Sequence, residues 1–147
     1  MSKTAKIIVY FLVFDVIVLG FYFGIKSIAK SSSKSPMDDY EWKTMDASYQ
    51  AADFVEQFIK DDAAQKNIFP VQIRNFKQSP DVLKRFVGKN FARSSPSNLD
   101  LVFPGLDDWA LIQIKYKNEK EQEVDRVVLY VSIKGQWRVG DSGTLMN

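Results

Sequence analysis

From Ile7 to Ile25 the chain reads IIVYFLVFDVIVLGFYFGI, nineteen residues with a single charged side chain. Crossing the hydrocarbon core of a bilayer takes about 20 apolar residues, so this run predicts a transmembrane helix over 7–25. It divides the rest into a short cytoplasmic tail at 1–6, a spacer at 26–37 and a soluble domain at 38–147. The alternative is a cleaved leader. Ser27-Ile28-Ala29 offers a small-x-small site, but the run is longer than the usual stretch of roughly 7 to 15 residues and Lys26 interrupts the approach. Lys3, Lys6 and the terminal amine on one side face Lys26, Lys30 and Lys34 on the other, so the positive-inside rule gives nearly a tie. A short basic tail before a first hydrophobic segment normally stays in the cytoplasm. The expected topology is therefore a single pass through the inner (plasma) membrane, with the C-terminal domain extracytoplasmic, or periplasmic in a Gram-negative cell. Tyr10 and Tyr22 sit near the ends of the run, where amphipathic rings favour the interface.

Asp15 falls close to the middle of the run. There an ionised carboxylate costs at least about 2.5 kcal/mol and is normally protonated, paired or turned toward protein. Strongly apolar neighbours can carry such a residue across; a contact with another membrane helix would explain it functionally. Gly20 and Gly24 form a G-x-x-x-G, which lets two helices approach closely. At roughly 100° per residue, Asp15 lies about 140 to 180° around the helix from this pair. Asp15, Gly20 and Gly24 would thus address different neighbours, a multi-subunit setting more than a simple dimer.

Beyond the run, KSIAKSSSKSP at 26–36 is a serine and lysine stretch that cannot bury a core and reads as a flexible spacer. Within Ala47–Asp62, the residues Ala51, Phe54, Val55, Phe58 and Ile59 recur at helical spacing and predict one long helix with a buried stripe. Ser79-Pro80 announces a second, shorter helix through Val82, Leu83, Phe86 and Val87, stopped by Gly88. The period then changes to two, predicting strands at 99–103, 109–117, 123–133 and 136–140. A polar connection at 118–122 and a tight turn at Lys134-Gly135 make the last three an antiparallel meander. Ala110, Ile112, Ile114 and Tyr116 share a dry face, opposed by a largely wet one with Trp109, Gln113, Lys115 and Lys117. The fold class expected is α+β: an N-terminal membrane helix, then a curved antiparallel sheet packed on a long helix.

The order of long helix, short helix and strands, ending in Val127-Val128-Leu129-Tyr130-Val131 and Gly135-Gln136-Trp137-Arg138-Val139, resembles the C-terminal half of NTF2-like or cystatin-like domains. A single N-terminal span carrying such a domain also resembles the VirB8 type of inner-membrane subunit of type IV secretion systems. The resemblance implies a helix-and-sheet pocket and a superfamily that contains both enzymes and non-catalytic assembly subunits, so function has to be argued from the site. In enzymes of that superfamily the pocket holds an acidic or histidine base. The acidic candidates in this chain are Asp53, Asp100, Asp107 and Asp108.

Composition narrows the chemistry. The chain contains no cysteine and no histidine, which removes thiol nucleophiles, redox motifs, lipoprotein anchors, the usual catalytic base and the commonest transition-metal ligands. Ser94, Ser95 and Ser97 therefore lack the histidine of a hydrolase triad. The acid pairs Asp38-Asp39, Asp61-Asp62 and Asp107-Asp108 do not have the alternating ligands of a calcium loop. No metal and no cofactor is expected, and a net charge of +2 does not imply a nucleic acid partner.

The distribution of charge is more informative. Asp38–Asp62 holds eight acids against Lys43 and Lys60, whereas Arg74, Lys77, Lys84, Arg85, Lys89 and Arg93 are opposed by Asp81 alone. The second set is a candidate basic interaction surface, for an acidic patch on another copy or subunit or for anionic lipid headgroups. The functional expectation is a non-catalytic, membrane-anchored subunit of a secretion, conjugation or pilus-type envelope assembly, whose partners are other membrane subunits or itself. The alternatives are a module binding a small apolar ligand or lipid, suggested by eleven phenylalanines and three tryptophans, and an enzyme built on Asp53 or Asp108.

Overall fold

The computed structural model describes residues 35–90 and 96–146. The expected span at 7–25, with Asp15, Gly20 and Gly24, and the basic residue Arg93 lie outside the described residues. Among the described residues no helix is long and apolar enough to cross a membrane. The chain divides into two units, Met1–Ser35 and Pro36–Asn147.

The second unit is α+β. Its elements run β1 (Lys43–Met45), α1 (Phe54–Lys66), β2 (Val71–Asn75), α2 (Pro80–Leu83), β3 (Phe86–Gly88), α3 (Pro96–Val102), β4 (Leu106–Lys117), β5 (Glu123–Ile133) and β6 (Gln136–Leu145). All six strands join one antiparallel sheet in the order β1-β2-β4-β5-β6-β3. The expected meander is the β4-β5-β6 part. Its second turn places Lys134 and Gly135 at φ 53 and 73°, the two left-handed positions that a two-residue hairpin turn requires.

The long helix starts later than the periodicity predicts. Asp46 accepts from the amide of Ser48 at 2.9 Å, a local turn that competes with helix. Asp53 then caps α1 by accepting from the Glu56 amide at 2.8 Å. Ala51 consequently precedes the helix, and Phe54, at its first position, is 82% exposed. The buried stripe is Val55, Ile59 and Ala63, packed on Ala110, Ile112 and Ile114 of β4 and on Val71 and Ile73 of β2. The face of β4 expected to be dry is the one that α1 covers.

Three other expectations are corrected. The second helix ends at Leu83, and Phe86–Gly88 instead pairs with Gly143–Leu145 of β6. Glycines permit that pairing: a Cβ on Gly143 would lie 1.7 Å from the Val87 carbonyl oxygen. The segment 99–103, expected as a strand, is instead the end of helix α3 through Val102 followed by Phe103. Leu99 and Phe103 are four apart and both buried, with the Phe103 amide donating to the Leu99 carbonyl at 2.7 Å; Leu101, which the period-two reading placed on the same face, is 81% exposed. The second sheet face is not wet throughout. Leu111, Val127, Leu129 and Val131 are buried there against Phe76, Val82, Leu83, Phe86, Leu99 and Phe103. Burial on both faces is why 127–131 reads as an unbroken apolar run instead of an alternation. At about 25 cal/mol per Å² of apolar surface, each of these large buried side chains stabilises the fold by roughly 1.5 to 3 kcal/mol.

Candidate functional site

Where β2 ends, the chain turns away from the sheet and opens a cleft against the start of α1 and of β4. The turn is set by Asn75, whose Oδ1 accepts from the Lys77 amide at 2.7 Å while Lys77 adopts a left-handed φ of 52°. The cleft measures about 630 Å³ and is lined by Tyr40, Phe54, Trp109 and Trp137, by Asp53 and Asp108, and by residues 75–80. Tyr40 is fixed edge-on to the buried Phe76 ring at 5.3 Å.

Two of the four acids expected as candidates meet here. Asp53 is occupied on both oxygens: Oδ1 caps α1, and Oδ2 accepts from Asn75 Nδ2 at 3.2 Å. Asp108 accepts through Oδ1 from the Trp109 amide at 2.6 Å and from Gln78 Nε2, leaving Oδ2 without a partner among the described residues. Asp107 and Asp100 are elsewhere. The first accepts from the Gly135 amide at 2.8 Å and ties the hairpin turn to β4; the second is exposed on α3.

The acid that sequence reasoning missed is Glu56, which is 1% exposed. Its carboxylate accepts from Tyr49 OH at 2.8 Å, Lys43 Nζ at 3.0 Å, the Ala52 amide at 3.1 Å and Asn75 Nδ2 at 3.5 Å. Burial alone would raise its pKa. The Tyr49 hydroxyl, the Ala52 amide and the Lys43 ammonium outweigh that and hold the group below the ordinary glutamate value. Burial and the same hydrogen bond push the Tyr49 hydroxyl up to about 12. The signal was Asp53-x-x-Glu56, the spacing of a capping box. Glu56 therefore braces the wall behind Asp53 and Asn75. Asp141, also missed, is 3% exposed and accepts from the amides of Lys89, Asn90 and Ser142, pinning the end of β3 to β6.

The expected basic residues do not share one helix face. Arg74 projects from β2 with its guanidinium 4.9 Å from the Trp42 ring centre, and Lys115 of β4 lies 4.4 Å from the same ring. Lys77 lines the cleft, Lys84 follows α2 and pairs with Asp81 at 3.2 Å, Arg85 lies between α2 and β3, and Lys89 follows β3. The acidic segment is divided too, because Asp46, Asp53 and Glu56 are engaged locally. Among the described residues no group of three or more acids converges as a metal site would require. No protein-family model matches the chain, and neither a curated protein nor a solved structure does.

Proposed function

We propose that this chain is a non-catalytic, membrane-anchored subunit of an envelope protein assembly, with an NTF2-like or cystatin-like domain held outside the inner membrane by the span at 7–25. The observation that carries the contact role is Phe54. A phenylalanine 82% exposed on the rim of a cleft lined by Tyr40, Trp109 and Trp137 adds a ring to a surface already rich in aromatic side chains, and these are the residues that anchor protein interfaces. The two cleft acids support the same reading, since Asp53 and Asp108 are held by backbone amides and side-chain amides that fix the walls. Asp15, Gly20 and Gly24 would supply the membrane part of the assembly. The test is photo-crosslinking in native membranes from a probe at position 54, with Asp15→Leu as the comparison. Specific crosslinked proteins that diminish on substitution support the assembly role; a chain that crosslinks to nothing in either sample refutes it.

One observation favours a second reading, a module for a small apolar ligand or lipid. A cleft of about 630 Å³ falls in the range of small-molecule sites, roughly 300 to 1,000 Å³. This reading requires a rise in melting temperature with fatty acids or lipids, and fails if none raises it.

A further inference from the structure

The cleft combines rings and acids in a way that selects a ligand charge. Its charged side chains are Asp53, Asp108 and Lys77, and none of the three has an ion-pair partner among the described residues. Two carboxylates thus face one lysine, whose side chain is exposed and whose long stem can carry its charge into water. Around them stand π-systems whose faces are negative. An anion would meet repulsion from both features, and a neutral apolar guest would strip water from the Asp108 carboxylate without replacing its hydrogen bonds.

The free acceptors narrow the choice further. Asp108 spends Oδ1 on the Trp109 amide and on Gln78 Nε2. Its Oδ2 and the Gln78 side-chain oxygen have no partner among the described residues. Both acceptors belong to side chains that are hydrogen-bonded to each other, an arrangement that suits a planar donor with several N–H groups better than a compact ammonium, while a quaternary ammonium has no N–H to offer. A guanidinium also stacks on aromatic faces.

We infer that the cleft receives the guanidinium of an arginine side chain presented by a partner polypeptide, hydrogen-bonded to Asp108 Oδ2 and the Gln78 amide oxygen and stacked on the aromatic lining. The assignment deepens the assembly reading and rests on the cleft being the contact site. The exposed Phe54 rim then covers the residues flanking the arginine.

The test uses the full chain in nonionic detergent, titrated with N-acetyl-arginine amide and, in parallel, with the isosteric neutral N-acetyl-citrulline amide, while the three indole N–H signals are followed by NMR. The arginine amide is expected to shift the Trp109 and Trp137 signals and to leave Trp42, which is outside the cleft, in place. The citrulline amide should shift none. Asp108→Asn keeps the Oδ1 acceptor for the Trp109 amide and Gln78 and removes the charge; it is expected to weaken the arginine response about tenfold, as loss of a single charged contact would. Equal responses to both amides, a response confined to Trp42, or an unweakened Asp108→Asn variant would overturn the assignment. Capture of a partner from position 54 without an arginine response would leave the assembly role standing and overturn the guanidinium site. An arginine response without any captured partner would uphold the site and refute the assembly role.

Discussion

Replacing Glu56 by glutamine tests whether the buried carboxylate braces the cleft as its contacts imply. Glutamine keeps the volume but offers one acceptor oxygen where the carboxylate has two. Placed to serve Tyr49 OH and the Ala52 amide, it turns its NH₂ toward Lys43 Nζ and Asn75 Nδ2, both donors. A hydrogen bond to a charged group contributes about 1.5 to 3 kcal/mol when buried. Lys43 is 45% exposed on its side chain and can return to water, so its share is discounted to below about 1 kcal/mol. Weakening of the Tyr49 and Ala52 bonds adds about 1 kcal/mol, for a total of between about 1 and 2 kcal/mol, or roughly 4 to 10 °C in Tm for a domain of this size. The pH dependence follows from the direction of the shift. Because the folded pKa lies below the ordinary value of 4.5, the carboxylate contributes its stability above that value and loses it as pH falls through the folded pKa. Wild type and Glu56→Gln should therefore differ fully at pH 7 and converge well below pH 4.5, where both side chains are neutral. Thermal melts of the full chain by near-UV circular dichroism provide the measurement. A gap of the same size at acidic and neutral pH, or no gap at pH 7, would show that charge at Glu56 does not brace the fold.

Three further outcomes are expected. Phe54→Ser should change stability by no more than about 0.5 kcal/mol, because the side chain is 82% exposed, yet abolish partner capture in pull-downs from native membranes; a large drop in Tm would reassign Phe54 to the core. Gly143→Ala would place a methyl group 1.7 Å from the Val87 carbonyl oxygen and should cost about 3 kcal/mol by forcing β3 off β6, read as faster amide exchange at 86–88 with 112–116 unchanged. Asp141→Ala leaves three amides without their acceptor and should cost about 2 to 4 kcal/mol in a denaturant melt, whereas an unchanged midpoint would mean that water takes over those bonds.

The cleft is only half legible in the sequence. Asp53 and Asp108 are recognisable as acids near a helix and a strand, but they are 55 residues apart in a chain whose local patterns contain no signal that β2 stops at Asn75 and leaves the start of β4 uncovered. Glu56 looks like a solvated residue of an acidic segment, since a single buried carboxylate produces no periodicity; its capping spacing is the one trace.

What the sequence determined by itself is whatever depends on near neighbours. Asp53 and Ser79 cap helices because their side chains reach amides three residues on, and Lys134-Gly135 turns because its glycine takes a left-handed φ without steric cost. The alternation of Ala110, Ile112 and Ile114 selects a face without reference to what covers it. The tertiary structure decided the rest by supplying partners. Phe86–Gly88 is a strand because β6 offers it a ladder through Gly143, and Leu99 and Phe103 define a helix because the second sheet face needs that pair buried. Short apolar runs fit either period until a surface distant in sequence selects one of them, and the cleft exists for the same reason, as the place where α1, the turn after β2 and the start of β4 come together.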